Sequence, residues 1–223
     1  MITMKNNYNL ESVFQKIIEY EPVKNALDFL EKDNNNTTKE QVELCEIAAP
    51  TFYEQNRAIL YEEKFKNLGL DDVYIDKMGN VLGTLNGARN LPKLLVSAHL
   101  DTVFSKDIDV KVKIEDGILY APLTIIRAIK KSKLKTVGDI IFCGSVCEEG
   151  LGDLKGIKYI FENNSNINGF ITIDGCYVGD ILYLGTGSLR FKITYKGQGG
   201  HSLEDFGIPN PIHALGRAIS KIA

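Results

Sequence analysis

The chain has 223 residues, of which 44% are hydrophobic and 25% charged, and its formal net charge is -3; this ordinary globular balance can bury one large domain, or one domain and part of another. It gives no global basic field for nucleic acid or acidic lipid, so neither is expected as a partner. The opening MITMKNNYNLESVF lacks an apolar signal core, no stretch is long enough to span a bilayer, and the four cysteines (Cys45, Cys143, Cys147, Cys176) form no CxxC pair, so a cytoplasmic protein with reduced thiols is expected.

The first third reads as helical. Val23 to Leu30 carries apolar residues at helical spacing, the polar run Asp33 to Thr38 interrupts it, and Thr38 with Glu43 downstream offers a new start. A further helix is predicted from Glu54 to Leu68, stopping at Gly69. Three near-continuous apolar runs follow, Lys93 to Ala98, Asp139 to Val146 and Gly169 to Ile173, as expected of strands buried on both faces. Helical segments, Leu123 to Lys133 and Leu154 to Glu162, lie between them, and Val110 to Tyr120 reads as a hairpin turned at Asp116-Gly117. The expectation is an α/β fold: a mixed, largely parallel sheet with helices on both faces.

From Gly187 the character changes. Leu189, Phe191, Ile193 and Tyr195 alternate with polar residues, which predicts a strand with one solvated face, and Asn210-Pro211 starts a helix that runs to Ala223. Residues 1–186 are therefore expected to form one domain, and 187–223 the beginning of a small α+β lid. One strand and one helix cannot bury a core, so the chain is expected to be part of a longer protein.

Each apolar run ends in groups able to bind a metal. The first ends in His99-Leu100-Asp101, the second in Glu148-Glu149 and the third in Asp174. In open α/β sheets ligands sit outside the carboxyl ends of the strands, so three such ends on one edge point to a site. His99 and Asp101, two apart, share a face, and a carboxylate beside an imidazole fixes its tautomer and raises its basicity. Taken alone, an HxD is more often a surface-turn histidine beside a capping aspartate. Adjacent Glu148 and Glu149 are expected to project to opposite sides, so that one ligates and the other holds a water. Asp174, before Gly175, could equally be a turn residue. His201 follows two glycines, and spacing alone reads it as a loop histidine; His213 reads as packing or surface. Gly185 to Ser188 is a weak half of a dinucleotide fingerprint, preceding a strand rather than a helix. Cys176, with no base histidine in view, is not expected to act as a nucleophile.

In order along the chain, Ser97-Ala98-His99-Leu100-Asp101-Thr102-Val103, Val146-Cys147-Glu148-Glu149-Gly150, Asp174-Gly175 and Gly199-Gly200-His201-Ser202 resemble the motifs of the two-zinc exopeptidase and deacylase family, which includes peptidase T, carboxypeptidase G, aminoacylase and succinyl-diaminopimelate desuccinylase. The resemblance runs from about Val73 onward. It implies a zinc-exopeptidase-like fold holding two zinc ions, with His99, Glu149 and Asp174 as metal ligands. By the same resemblance Asp101 orients His99, Glu148 is the general base, and His201 stabilises the oxyanion from a lid that also makes a homodimer. It implies a small peptide as substrate; Asp174, an aspartate rather than a glutamate, resembles the aminopeptidase branch. The sequence departs from the family where a glycine-flanked bridging aspartate is usual, since Ala121-Pro122 runs straight into Leu123. The family's last metal histidine, which follows the lid, has no counterpart before Ala223. A non-catalytic relative that keeps the fold is therefore the alternative.

Overall fold

The computed structural model describes residues 9–112, 122–175, 179–185, 187–189 and 191–222. The chain divides into two compact units, Met1–Cys176 and Tyr177–Ala223.

The first unit is built on a five-stranded sheet in the order β1-β2-β4-β3-β5. Its strands are β1 (Asp71–Ile75), β2 (Val81–Leu85), β3 (Lys93–His99), β4 (Asp139–Ser145) and β5 (Gly169–Thr172). The three expected apolar runs are β3, β4 and β5, and they pair in parallel with β3 in the middle. The β1-β2 pair, which the sequence reading did not anticipate, adds to β4 antiparallel. The sheet is thus mixed.

The helices of this unit are α1 (Leu10–Glu19), α2 (Glu21–Lys32), α3 (Asn34–Cys45), α4 (Gln55–Asn67), α5 (Pro122–Ser132) and α6 (Lys155–Asn163). Alternation along the strands assigns the two faces. Val96, Ile140 and Phe142 pack with Ala58, Tyr61 and Phe65 of α4 and Leu123 and Ile126 of α5. Their neighbours Leu95 and Cys143 pack with Ile160 of α6. Helices therefore cover both faces, as expected. At Gly144 in β4, an added Cβ would lie 2.8 Å from the Tyr61 ring and 3.0 Å from Leu100, so α4 approaches the sheet too closely there for any side chain.

Some expectations are corrected. α3 begins at Asn34, not Thr38, because tertiary bonds hold its first turns: Arg127 donates to Asp33 and Glu40, each at 2.6 Å, and to Thr37 at 3.2 Å. β5 is not buried on both faces; as an edge strand it leaves Phe170 and Ile171 42% and 50% exposed. The hairpin expected at Val110 to Tyr120 lies, from residue 113 on, outside the described residues.

In the second unit, the described residues hold α7 (Pro211–Ile222) and no strand. The cap expected at Asn210 forms, its Oδ1 accepting from the Ile212 amide at 2.8 Å. The strand expected over Leu189 to Tyr195 does not form among the described residues: a strand needs a ladder partner, and Leu189 and Phe191 stay exposed.

Candidate metal centre

The site lies at the carboxyl ends of β3, β4 and β5. β3 ends at His99; Leu100 then turns into the core, and Asp101 is 1% exposed. A buried carboxylate needs several donors to stay ionised. Asp101 Oδ1 accepts from the Glu148 amide at 3.0 Å, and Oδ2 accepts from the Glu149 amide at 2.9 Å and the Thr51 hydroxyl at 3.0 Å. One aspartate after β3 thus grips two successive amides after β4.

The two preceding amides are held in the same way. Val146 N donates to Asn80 Oδ1 and Cys147 N to Glu54 Oε1, both at 3.0 Å. Asn80, fully buried, also donates from Nδ2 to Asp76 and to the Gly156 carbonyl. Four consecutive amides therefore end on side chains from distant parts of the chain. Between them Cys147 takes φ +55°, and Gly150 follows at +53°.

That curl changes what Glu148 and Glu149 can do. They do not project to opposite sides, as an extended backbone would require. His99, Glu148 and Glu149 each offer one ligand atom, all within 4.8 Å of one another. Asp174 reaches the same imidazole from β5, with Oδ1 3.7 Å from His99 Nε2, while its side chain stays 54% exposed. His99 Nδ1 lies 3.5 Å from Asp101 Oδ1 on the other side. That nitrogen is buried, and Asp101 stands at the long end of hydrogen-bond distance from it.

The charges respond to this crowding. Contact with Asp101 raises His99 to about 9, against the opposing effect of burial; Glu148 and Asp174 add to the rise. Burial alone would push Asp101 up, but His99 and the two backbone amides outweigh it and hold the group at about 2. Glu148 moves the other way, raised by burial and by Glu149, Asp174 and Asp101, with His99 opposing. Two carboxyl groups beside one imidazole, driven in opposite directions, separate a fixed anion from a proton-exchanging group. Burial also raises the Cys147 thiol to about 11, which leaves it protonated and unreactive at neutral pH.

An imidazole with crowded carboxylates suits a divalent cation, which would offset their mutual repulsion. The donor set fits a metal, with His99, Glu148 and Glu149 at its centre and Asp174 at its rim. His201 lies in the second unit. It is exposed, its Nδ1 accepts from the amides of Leu203 and Glu204 at 3.4 Å, and its own amide donates to Asp205 at 2.8 Å. Sequence reading missed Thr51, Glu54 and Asn80. Asp76-x-x-Gly79-Asn80 could have been seen as a turn, but nothing local shows that Asn80 is buried.

Fold and site together define an α/β protein with a metal-type centre at its strand ends. No protein-family model matches the chain. It is 34% identical to the LysW-lysine/LysW-ornithine hydrolase of Pyrococcus abyssi over 113 residues, 48% of this chain and 32% of that protein. Over 193 residues it is 25% identical to succinyl-diaminopimelate desuccinylase of Corynebacterium glutamicum, covering 81% of this chain and 52% of that one. Among solved structures, aminopeptidase PepT from Bacillus cereus matches at a TM-score of 0.50 and 25% identity, over 62% of this chain and 43% of that one. The di-peptidase Dug1p from Saccharomyces cerevisiae matches at 0.63 and 14% identity, over 88% and 52%, and shows the shared fold. The chain is thus similar to exopeptidases and deacylases of the peptidase T type. It spans a third to about half of the length of the curated relatives it matches.

Proposed function

We propose that this chain is part of a zinc-dependent hydrolase that cleaves small peptides from the amino end, working in the cytoplasm as a homodimer. The observation that carries the reading is the convergence of His99, Glu148 and Glu149 within 4.8 Å, reached from two different strands. His99, Glu149 and Asp174 hold the metal, and Asp101 fixes the orientation of His99. Bound zinc supplies Lewis-acid polarisation of the scissile carbonyl and acidifies water. Glu148 takes the proton of the attacking water and passes it to the leaving amine, a task suited to a carboxyl group whose pKa lies above the usual range. His201 is assigned as hydrogen-bond donor to the oxyanion on the family resemblance. The likeness to aminopeptidase PepT supports a peptide substrate; the desuccinylase relative supports acyl-amino acids as the neighbouring choice.

Glu148→Ala in the intact protein tests the reading. It is expected to keep its metal and to lose hydrolysis by about 100- to 10,000-fold; undiminished peptide cleavage would remove the assignment. The competing reading, a non-catalytic protein that keeps the fold, rests on the sequence, where Ala121-Pro122 is followed at once by Leu123 without the family's bridging aspartate. Elemental analysis showing two tightly held metal ions per chain counts against it.

A further inference from the structure

Glu54 lies 93 positions before Cys147, at the start of α4, and is 3% exposed. Its Oε1 accepts from the amides of Phe52 and Cys147, each at 3.0 Å. Both residues adopt left-handed backbone, Phe52 at φ +76° and Cys147 at φ +55°, a conformation that side-chain-bearing residues hold only where their surroundings enforce it. One buried oxygen therefore fixes two unfavourable turns. The turn at Cys147 brings Glu148 and Glu149 together against His99; the turn at Phe52 follows Thr51, whose hydroxyl is bound to Asp101.

We infer that Glu54 is a positioning residue for the metal centre: through the Cys147 amide it sets the curl that lets Glu148 and Glu149 approach one imidazole. It acts by reach and acceptor geometry. The neighbouring amides at Val146, Glu148 and Glu149 are tied independently to Asn80 and Asp101, so loss of the Glu54 bond frees one link of four and leaves the loop attached. The inference rests on the proposed metal-dependent reading for its effect on activity, but its effects on the backbone and on cation binding do not.

Three variants of the intact protein test it. Glu54→Gln keeps the acceptor oxygen at the same reach, Glu54→Asp keeps the charge but withdraws the oxygen, and Glu54→Ala removes both. Titration with cobalt(II), followed by its visible absorption, reads the centre without turnover. Glu54→Asp and Glu54→Ala are expected to bind cobalt about 10- to 100-fold more weakly, as is usual when a group supporting a metal ligand is lost. Their Cys147 amide should exchange faster with deuterium, and kcat should fall more than KM rises. Glu54→Gln should match the wild type in all three. If wild-type protein hydrolyses no peptide but the cobalt and exchange pattern holds, the functional reading fails and the positioning role stands. If the wild type is active and the folded Asp and Ala variants bind cobalt normally, the positioning role fails alone. The role is also overturned if Glu54→Asp is normal and Glu54→Gln defective, since charge would then matter rather than reach, or if no variant folds, since Glu54 would then be a fold residue only.

Discussion

The ends of the central strands and the end of the edge strand supply the same kind of group to the same imidazole, yet they are built differently. After β3 and β4, Asp101 is buried, accepts three hydrogen bonds and ties down the amides of Glu148 and Glu149. After β5, Asp174 is 54% exposed, and its Oδ1 accepts from the adjacent Gly175 amide at 2.6 Å. A central strand has neighbours on both sides that can satisfy a buried carboxylate; the end of an edge strand is open on one. The centre is thus fixed on one wall and exposed on the other.

The largest test of this contrast is in the strands themselves. Phe142 of β4 is 2% exposed, and Phe170 of β5, 42% exposed, makes an edge contact with Phe161. Phe142→Ala is expected to cost about 3–5 kcal/mol of folding stability, measured by urea unfolding. Phe170→Ala is expected to cost about 1 kcal/mol, since half its surface is already in water. Equal losses would mean that the edge is as well packed as the centre, and the contrast would fall.

The central strands were also the legible part of the sequence. Burial on both faces writes a continuous apolar run, which is visible without neighbours, so β3, β4 and the metal-type residues after them could be read directly. β5 carries the same run yet lies at the edge; a sequence cannot show whether a strand has a second neighbour. β1, Asp71-Asp72-Val73-Tyr74-Ile75, begins with two aspartates and is mostly exposed, so it gives no such signal. The start of α3 was hidden because Asn34, Asn35 and Asn36 favour turns, while the arginine that overrides them lies about ninety positions further on. For the same reason Asn80 and Glu54 were invisible. Their importance comes from bonds to Val146 and Cys147, 66 and 93 positions away.

The next effect in size separates the two aspartates. Asp101→Ala leaves two backbone amides and a hydroxyl without their acceptor, which is expected to cost about 2–3 kcal/mol. Asp174→Ala, at an exposed position, is expected to change stability by less than about 0.5 kcal/mol. Both should weaken metal binding, Asp101 through the position of His99 and Asp174 as a ligand at the rim. Loss of stability in the Asp174 variant comparable to that in the Asp101 variant would show that the open wall also carries folding energy.

The smallest effect is read at the imidazole between the two walls. With no cation bound, His99 titrates at about 9, raised chiefly by contact with Asp101 and least by Asp174. Asp101→Asn should therefore move His99 further toward the ordinary 6.5 than Asp174→Asn does, as followed by proton NMR; with three histidines in the chain, the assignment is tractable. The sign for stability follows from the same shift. A group whose pKa is higher in the folded state contributes fully below its unfolded value of 6.5, and that contribution disappears as pH rises through 9. Asp101, held at about 2 against an ordinary 3.8, contributes above 3.8 and loses its contribution as pH falls through 2. Chelator-treated protein should thus lose urea resistance between pH 6.5 and 9. A bound cation requires the neutral imidazole, so metal-loaded protein should lose far less over that range. Identical pH profiles with and without metal would mean that His99 is not a ligand, whatever its distance from Glu148 and Glu149.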